Sequence, residues 1–218
     1  MVSVKQFSTV LALAAVSSAS NAPVSTDSAD GNKYVATFKP TSKSNITGTV
    51  EFQPASNGSV TVNVDLSGFP STGGPFPYHI HQAPVPTDGN CTGTLLHLNP
   101  FNGTVNATSA AGKEVGDLAG KHGNLPGGSV SISYVDNYIS LNPDNKAYLG
   151  GLSVVVHALD NTRLSCANIT EESVSSNSTS NATTNSTGGS SHENFAGKNN
   201  VAIGVLAGAA AVAVGLLI

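Results

Sequence analysis

Between Lys33 and Thr170 the apolar residues come in short runs with polar residues at alternate positions, and no stretch sustains the period of an amphipathic helix. The clearest run is Val60-Thr-Val-Asn-Val-Asp-Leu66, whose valines and leucine all project to one face of an extended chain. Tyr34 to Phe38, Ile46 to Phe52, Val130 to Val135 and Leu152 to Leu159 read as further strands. Asn57-Gly58, Pro70 to Pro77 and Pro126-Gly127-Gly128 punctuate them as hairpins or crossovers. A segment of about 140 residues with this pattern buries its apolar faces by closing on itself, which predicts an all-β fold. The expected form is an immunoglobulin-like Greek-key β-barrel or sandwich of about eight antiparallel strands.

The flanking segments have different chemistry. Lys5, the apolar run Phe7 to Val16 and the small residues Ser17 to Ala22 have the format of a secretory signal, residues 1–22. That apolar run is short for a membrane span, which is the alternative reading. Residues 23–32 are expected to be an N-terminal extension and 33–170 the folded domain. Residues 171–191, almost all Ser, Thr, Asn and Gly from Ser173 onward, cannot bury enough apolar surface to fold and read as a solvated stalk. Residues 192–218 end in the uncharged run Val201 to Ile218 with no basic flank, which fits a GPI-attachment signal better than a single span. A polar spacer of roughly 8 to 12 residues puts attachment near Gly188 to Ser191.

Asn-x-Ser/Thr sequons at Asn45, Asn57, Asn90, Asn102, Asn106, Asn168, Asn177, Asn181 and Asn185 are candidates for N-glycosylation. The cysteines, Cys91 and Cys166, are most simply one intramolecular disulfide in an oxidising compartment. Acidic and basic residues are nearly balanced across 33–170 and no basic patch stands out, which argues against nucleic acid as a partner.

The chain has 6 histidines. In His79-Ile80-His81, residues i and i+2 of an extended strand bring two imidazoles to one face. His157 ends the apolar run Leu152-Ser-Val-Val-Val-His, where an imidazole needs a hydrogen-bond partner or a metal. His97 follows Leu95-Leu96 shortly after Cys91, while His122 and His192 lie in Gly-rich and stalk contexts and are expected to be solvated. Taken singly, each of the others also reads as a satisfied core or surface histidine. Imidazole suits copper, zinc, iron and nickel alike, so a zinc hydrolase or hydratase is also compatible with this set. A cupin would place a Glu soon after the pair, and Gln82 to Asp88 contains none.

Gly68-Phe69-Pro70, Tyr78-His-Ile-His81, Cys91-Thr-Gly-Thr-Leu-Leu-His97, Val115-Gly-Asp-Leu118, Leu152-Ser-Val-Val-Val-His157-Ala and Arg163-Leu-Ser-Cys166 occur in an order and spacing that resembles the copper/zinc superoxide dismutases. Within them the chain is similar to the zinc-free, copper-only fungal branch that carries GPI signals. The resemblance, over roughly Tyr34 to Cys166, implies one copper per chain on His79, His81, His97 and His157, and a Cys91–Cys166 disulfide. It implies that Arg163, the sole arginine, guides the superoxide anion. Leu98 to Asp117 lacks the histidines that hold zinc in zinc-containing relatives, so no zinc is expected. Glu114 stands where the last zinc histidine would be, and the resemblance implies that it braces His97, which would exchange protons with Glu114 during turnover. Asp117 stands where the zinc aspartate would be and reads equally as a buried turn-former. Only Ala158 to Thr162 separates His157 from Arg163, where zinc-containing members have a long charged loop, so a more open copper is expected. The function implied is an extracellular superoxide dismutase, monomeric, lipid-anchored to the plasma membrane with cell-wall glucan as a further attachment. The alternative is a non-catalytic copper-binding cell-surface protein.

Overall fold

The computed structural model describes residues 21–172. Residues 1–20 of the expected signal, 173–191 of the stalk and the whole C-terminal segment, with Asn177, Asn181, Asn185 and His192, lie outside the described residues. Seven strands form: β1 (Tyr34–Phe38), β2 (Thr47–Pro54), β3 (Val60–Ser67), β4 (Tyr78–His81), β5 (Val130–Asp136), β6 (Ser153–His157) and β7 (Arg163–Glu171). They pair antiparallel in the order β4-β6-β7-β1-β2-β3-β5. The count of described strands is one short of the expectation of about eight, because part of the chain between β4 and β5 turns as a short helix, α1 (Leu118–His122). Asp117 caps that helix, its Oδ1 accepting from the Gly120 amide at 2.7 Å.

The alternation read in Val60 to Leu66 is the alternation of burial along β3. β7 carries the same period, but its buried positions are Ser165, Ala167 and Ile169, too small and polar to register as an apolar pattern. β4 and β5 are the two edges of the sheet, and the Tyr78 hydroxyl donates to the Tyr134 hydroxyl at 2.7 Å from one edge to the other. Beside this contact, Phe76 and Leu125 exchange both backbone hydrogen bonds, at 2.7 and 2.9 Å. The sheet therefore curls until its ends meet, enclosing Phe38, Phe52, Val62, Leu66, Ile80, Leu118, Leu149 and Val154.

At this seam the expectation for His122 is overturned. His122 is half-buried, stacked on Tyr134 with ring centroids 4.0 Å apart, and its Nε2 lies 2.8 Å from Asp136 Oδ2. Asp136 ends the inward face of β5 and also receives Lys121 Nζ at 2.6 Å, both side chains being fully buried. The Gly-rich local sequence gave no sign of this, since the partner carboxylate arrives from another strand. Burial would raise the Asp136 carboxyl, but the Lys121 charge and the bonds from His122, Lys121 and the Tyr138 amide take it below the usual carboxylate range.

Residues 21–32 pack on the barrel. Ser28 is wholly buried, bonding through its amide to Gly58 O and through its Oγ to the Leu141 amide. Asp27 accepts from Ser25, Ser140, Asn142 and Asn145.

Lys121→Met leaves Asp136 buried without its cation and is expected to destabilise the protein by about 3–5 kcal/mol at pH 7. A depressed native carboxylate stabilises above its unfolded value of about 3.9 and loses that contribution as pH falls through the native value. Urea unfolding of wild type and variant should therefore show a gap that is near its full size from neutrality to about pH 4 and narrows below that value. A gap that stays constant as pH falls well below about 4 would contradict the assignment.

Candidate metal centre

Side chains on β4 alternate, so Tyr78 and Ile80 enter the core while His79 and His81 emerge on the outer face. There they lie in register with Val155 and Ser153 of β6, and His157 follows Val155 on the same face. That face would be wet, yet every residue of β6 is buried, because the chain from Gln82 to Asn99 folds over it. The Cys91–Cys166 disulfide staples this cover to β7, closing a loop with sequence separation 75. His97 is presented by the cover. Its neighbour Leu98 donates to Ile80 O at 2.8 Å, Ile80 donates to Gly116 O at 2.9 Å, and Gly116 donates to Leu98 O at 2.7 Å. A Cβ on Gly116 would stand 2.2 Å from Ile80 O, so only glycine permits this three-way contact.

The histidines of β4, the cover and β6 converge: one ligand atom from each of His79, His81, His97 and His157 lies within 4.8 Å of the others. Hydrogen-bond partners identify which atom each ring offers. His81 Nδ1 donates to Leu95 O at 3.0 Å and His157 Nδ1 to Asn161 O at 3.2 Å, which leaves both Nε2 atoms facing each other across 3.2 Å. His97 Nδ1 meets Glu114 Oε2 at 2.5 Å, so its Nε2 is also free. His79 Nε2 points toward Asp117 Oδ1 at 3.6 Å, while its Nδ1 is buried with no hydrogen-bond partner. Facing lone pairs and an orphaned buried nitrogen are costly unless a cation joins them. The donor set is four imidazole nitrogens, which suits copper.

The rings favour neutrality. Burial, reinforced by the His97, His157 and His81 imidazoles, lowers His79 to about 2. Burial and the nearby His97 take His81 to about 3 despite the Leu95 carbonyl. Burial takes His157 to about 4 against the pull of the Asn161 carbonyl, with His97 and Arg163 adding to the lowering.

Glu114, Asp117 and Arg163 lie beside this cluster. Glu114 is half-buried and its Oε1 accepts from Asn99 Nδ2 at 3.3 Å. Asp117 is buried and caps α1, and its Oδ1 also lies 3.6 Å from His79 Nε2. Arg163 is half-buried, and its Nη1 and Nη2 donate to Cys91 O, Thr92 O, Thr94 Oγ1 and Leu95 O. Among the described residues no carboxylate pairs with it, so its charge remains available to an anion. Sequence reasoning missed Thr94, Asn99 and the carbonyls of Leu95 and Asn161. Leu95 and Asn161 both have positive φ, 64° and 68°, and no sequence signal marks a leucine for that conformation.

Because His79, His81 and His157 are held neutral, the unfolded chain binds more protons than the native one below about pH 6.5. Stability present above that value is lost as pH falls toward the native values. The metal-free protein should lose up to about 1.4 kcal/mol per pH unit for each such histidine below about pH 6. Urea unfolding between pH 7 and 4.5 measures this; a flat profile would show that the rings are not kept neutral by the fold.

Residues 46–190 match the copper/zinc superoxide dismutase family. Cell surface superoxide dismutase [Cu-Zn] 4 of Candida albicans is 53% identical over 165 residues, covering 76% of this chain and 71% of the relative. Cell surface Cu-only superoxide dismutase 5 of the same organism is 54% identical over 165 residues, covering 76% and 72%. The solved structure of Candida albicans superoxide dismutase 5 with Cu(II) superposes with a TM-score of 0.65 at 56% identity, covering 66% of this chain and 94% of that one. With the same curled antiparallel sheet and a metal-ready histidine cluster on its outer face, the chain belongs to the copper/zinc superoxide dismutase family.

Proposed function

We propose that this chain is a cell-surface copper-only superoxide dismutase. The observation that carries the reading is the state of His97: its Nε2 is free for copper while its Nδ1, where a bridging imidazole would meet a second metal, is bonded to Glu114. Relatives named as cell-surface superoxide dismutases, one of them Cu-only, support both the activity and the location.

Copper bound by the four imidazoles supplies one-electron redox chemistry, so that two superoxide ions and two protons become one O2 and one H2O2. The chain supplies the rest. Arg163, unpaired by any carboxylate among the described residues, draws the anion toward the histidines. Glu114 holds the proton at His97 Nδ1 and is the candidate to exchange it with solvent, to which it is partly open at 20% side-chain exposure. The short Ala158 to Thr162 turn leaves His97 reachable, at 22% side-chain exposure. A copper-storage protein would need the four histidines but not an unpaired guanidinium beside them.

The surface setting is part of the proposal. The sequon residues Asn45, Asn57, Asn90, Asn102, Asn106 and Asn168 are all exposed, which supports glycosylation of the folded domain. The C-terminal format supports a lipid anchor.

The oxidised protein, assayed for bound metal and for superoxide loss before and after copper loading, tests the reading. One copper per chain with activity is expected; copper without activity would favour storage, and zinc would favour a hydrolase. Arg163→Gln should lower the second-order rate by roughly tenfold or more and flatten its salt dependence, with Arg163→Lys in between. Glu114→Gln should keep copper yet change the pH dependence of the rate, and an unchanged profile would remove Glu114 from proton transfer.

A further inference from the structure

The cover places one hydroxyl where two functional groups meet. Thr94 closes the 3₁₀ turn Cys91–Thr94 and is wholly buried. Its hydroxyl has one hydrogen and two lone pairs, and each has a partner. The hydrogen goes to Cys91 O at 2.8 Å, a local bond within the turn. The lone pairs face Arg163 Nη1 at 3.1 Å and His81 Nδ1 at 3.2 Å, groups 69 and 13 residues away. The next carbonyl, Leu95 O, repeats the pairing, accepting from Arg163 Nη2 at 2.5 Å and from His81 Nδ1 at 3.0 Å. Leu95 reaches this geometry at φ 64° and ψ −136°, a conformation costly for leucine, with its side chain 54% exposed. A threonine serving only to fill space would need neither long-range contact.

We propose that Thr94 is a positioning residue that fixes the copper ligand His81 and the anion guide Arg163 relative to each other. By accepting from Nδ1 it helps hold His81 in the tautomer whose Nε2 faces the metal site. By accepting from Nη1 it sets the plane of the guanidinium, to which Cys91, Thr92 and Leu95 supply the remaining acceptors. The proposal rests on the copper reading above. It adds that the anion's distance from copper is set in the turn that the disulfide anchors.

The test uses the full chain with its disulfide formed and copper loaded, comparing wild type with Thr94→Val and Thr94→Ser. Azide is the probe, a small anion whose binding to Cu(II) is followed by absorbance, together with the Cu(II) EPR spectrum. Thr94→Val should weaken azide binding by roughly tenfold, the equivalent of about one hydrogen bond, and alter the EPR hyperfine splitting at equal copper content. Thr94→Ser should match wild type in both. Wild-type azide affinity and EPR in the valine variant would overturn the proposal, as would a serine variant as impaired as valine, since the methyl group would then be what matters. Should the valine variant lose copper, Thr94→Ala decides: weakened azide binding, or copper loss where serine retains it, supports the role of the hydroxyl, and wild-type azide affinity overturns it. A wild-type chain that takes up no copper overturns the functional reading itself and this proposal with it.

Discussion

Four imidazole lone pairs directed at one point from which water is largely excluded can be held only if the other nitrogen of each ring is secured elsewhere. Here the securing partners are the Leu95 carbonyl for His81, the Asn161 carbonyl for His157, Glu114 for His97 and, at longer range, Asp117 for His79. They come from separate pieces of chain: the cover over the outer sheet face, the turn between β6 and β7, and the residues on either side of Gly116. The barrel supplies the platform on β4 and β6, but ring orientation is decided by what lies over it.

The cover has little core of its own, and Leu95 and Leu96 in it are exposed. It is held by the disulfide to Cys166, by Arg163 against its carbonyls, and by the backbone contacts among Ile80, Leu98 and Gly116. In the chain-entropy account, a crosslink over such a separation stabilises by roughly 3–5 kcal/mol through restriction of the unfolded state. Arg163 thus couples the architecture to the proposed chemistry, since the donors that fasten the cover belong to the same guanidinium that we propose draws the anion. The opposite end of α1 has its own anchor: Asp117 at the N-terminus faces His79, while Lys121 and His122 at the C-terminus reach Asp136 on β5. A buried ion pair at the barrel seam therefore supports the helix that presents the aspartate.

Legibility in the sequence follows side-chain size and contact range. β3 was readable because valines and a leucine mark its buried face, whereas β7 hides a similar alternation behind Ser165 and Ala167. His79 and His81 were readable as a pair because extended geometry places i and i+2 together without reference to the rest of the fold. His122 was misread as solvated because its partner Asp136 reaches it only when the barrel closes. Residues 23–32 were read as an extension because their attachment is by hydrogen bonds from Ser28 and Asp27, which leave no apolar period.

By itself the sequence determined the all-β class, through its period, and a histidine set compatible with several metals; the order and spacing of its motifs, by resemblance, determined the choice of copper. Tertiary structure decided which nitrogen of each ring faces the metal, that Glu114 occupies the far side of His97, and that Thr94 and Leu95 tie His81 to Arg163. The physical reason is range. Strand periodicity is a local property of the chain, whereas a tautomer depends on a carbonyl or carboxylate that reaches the ring only after the cover is in place over the β4–β6 face.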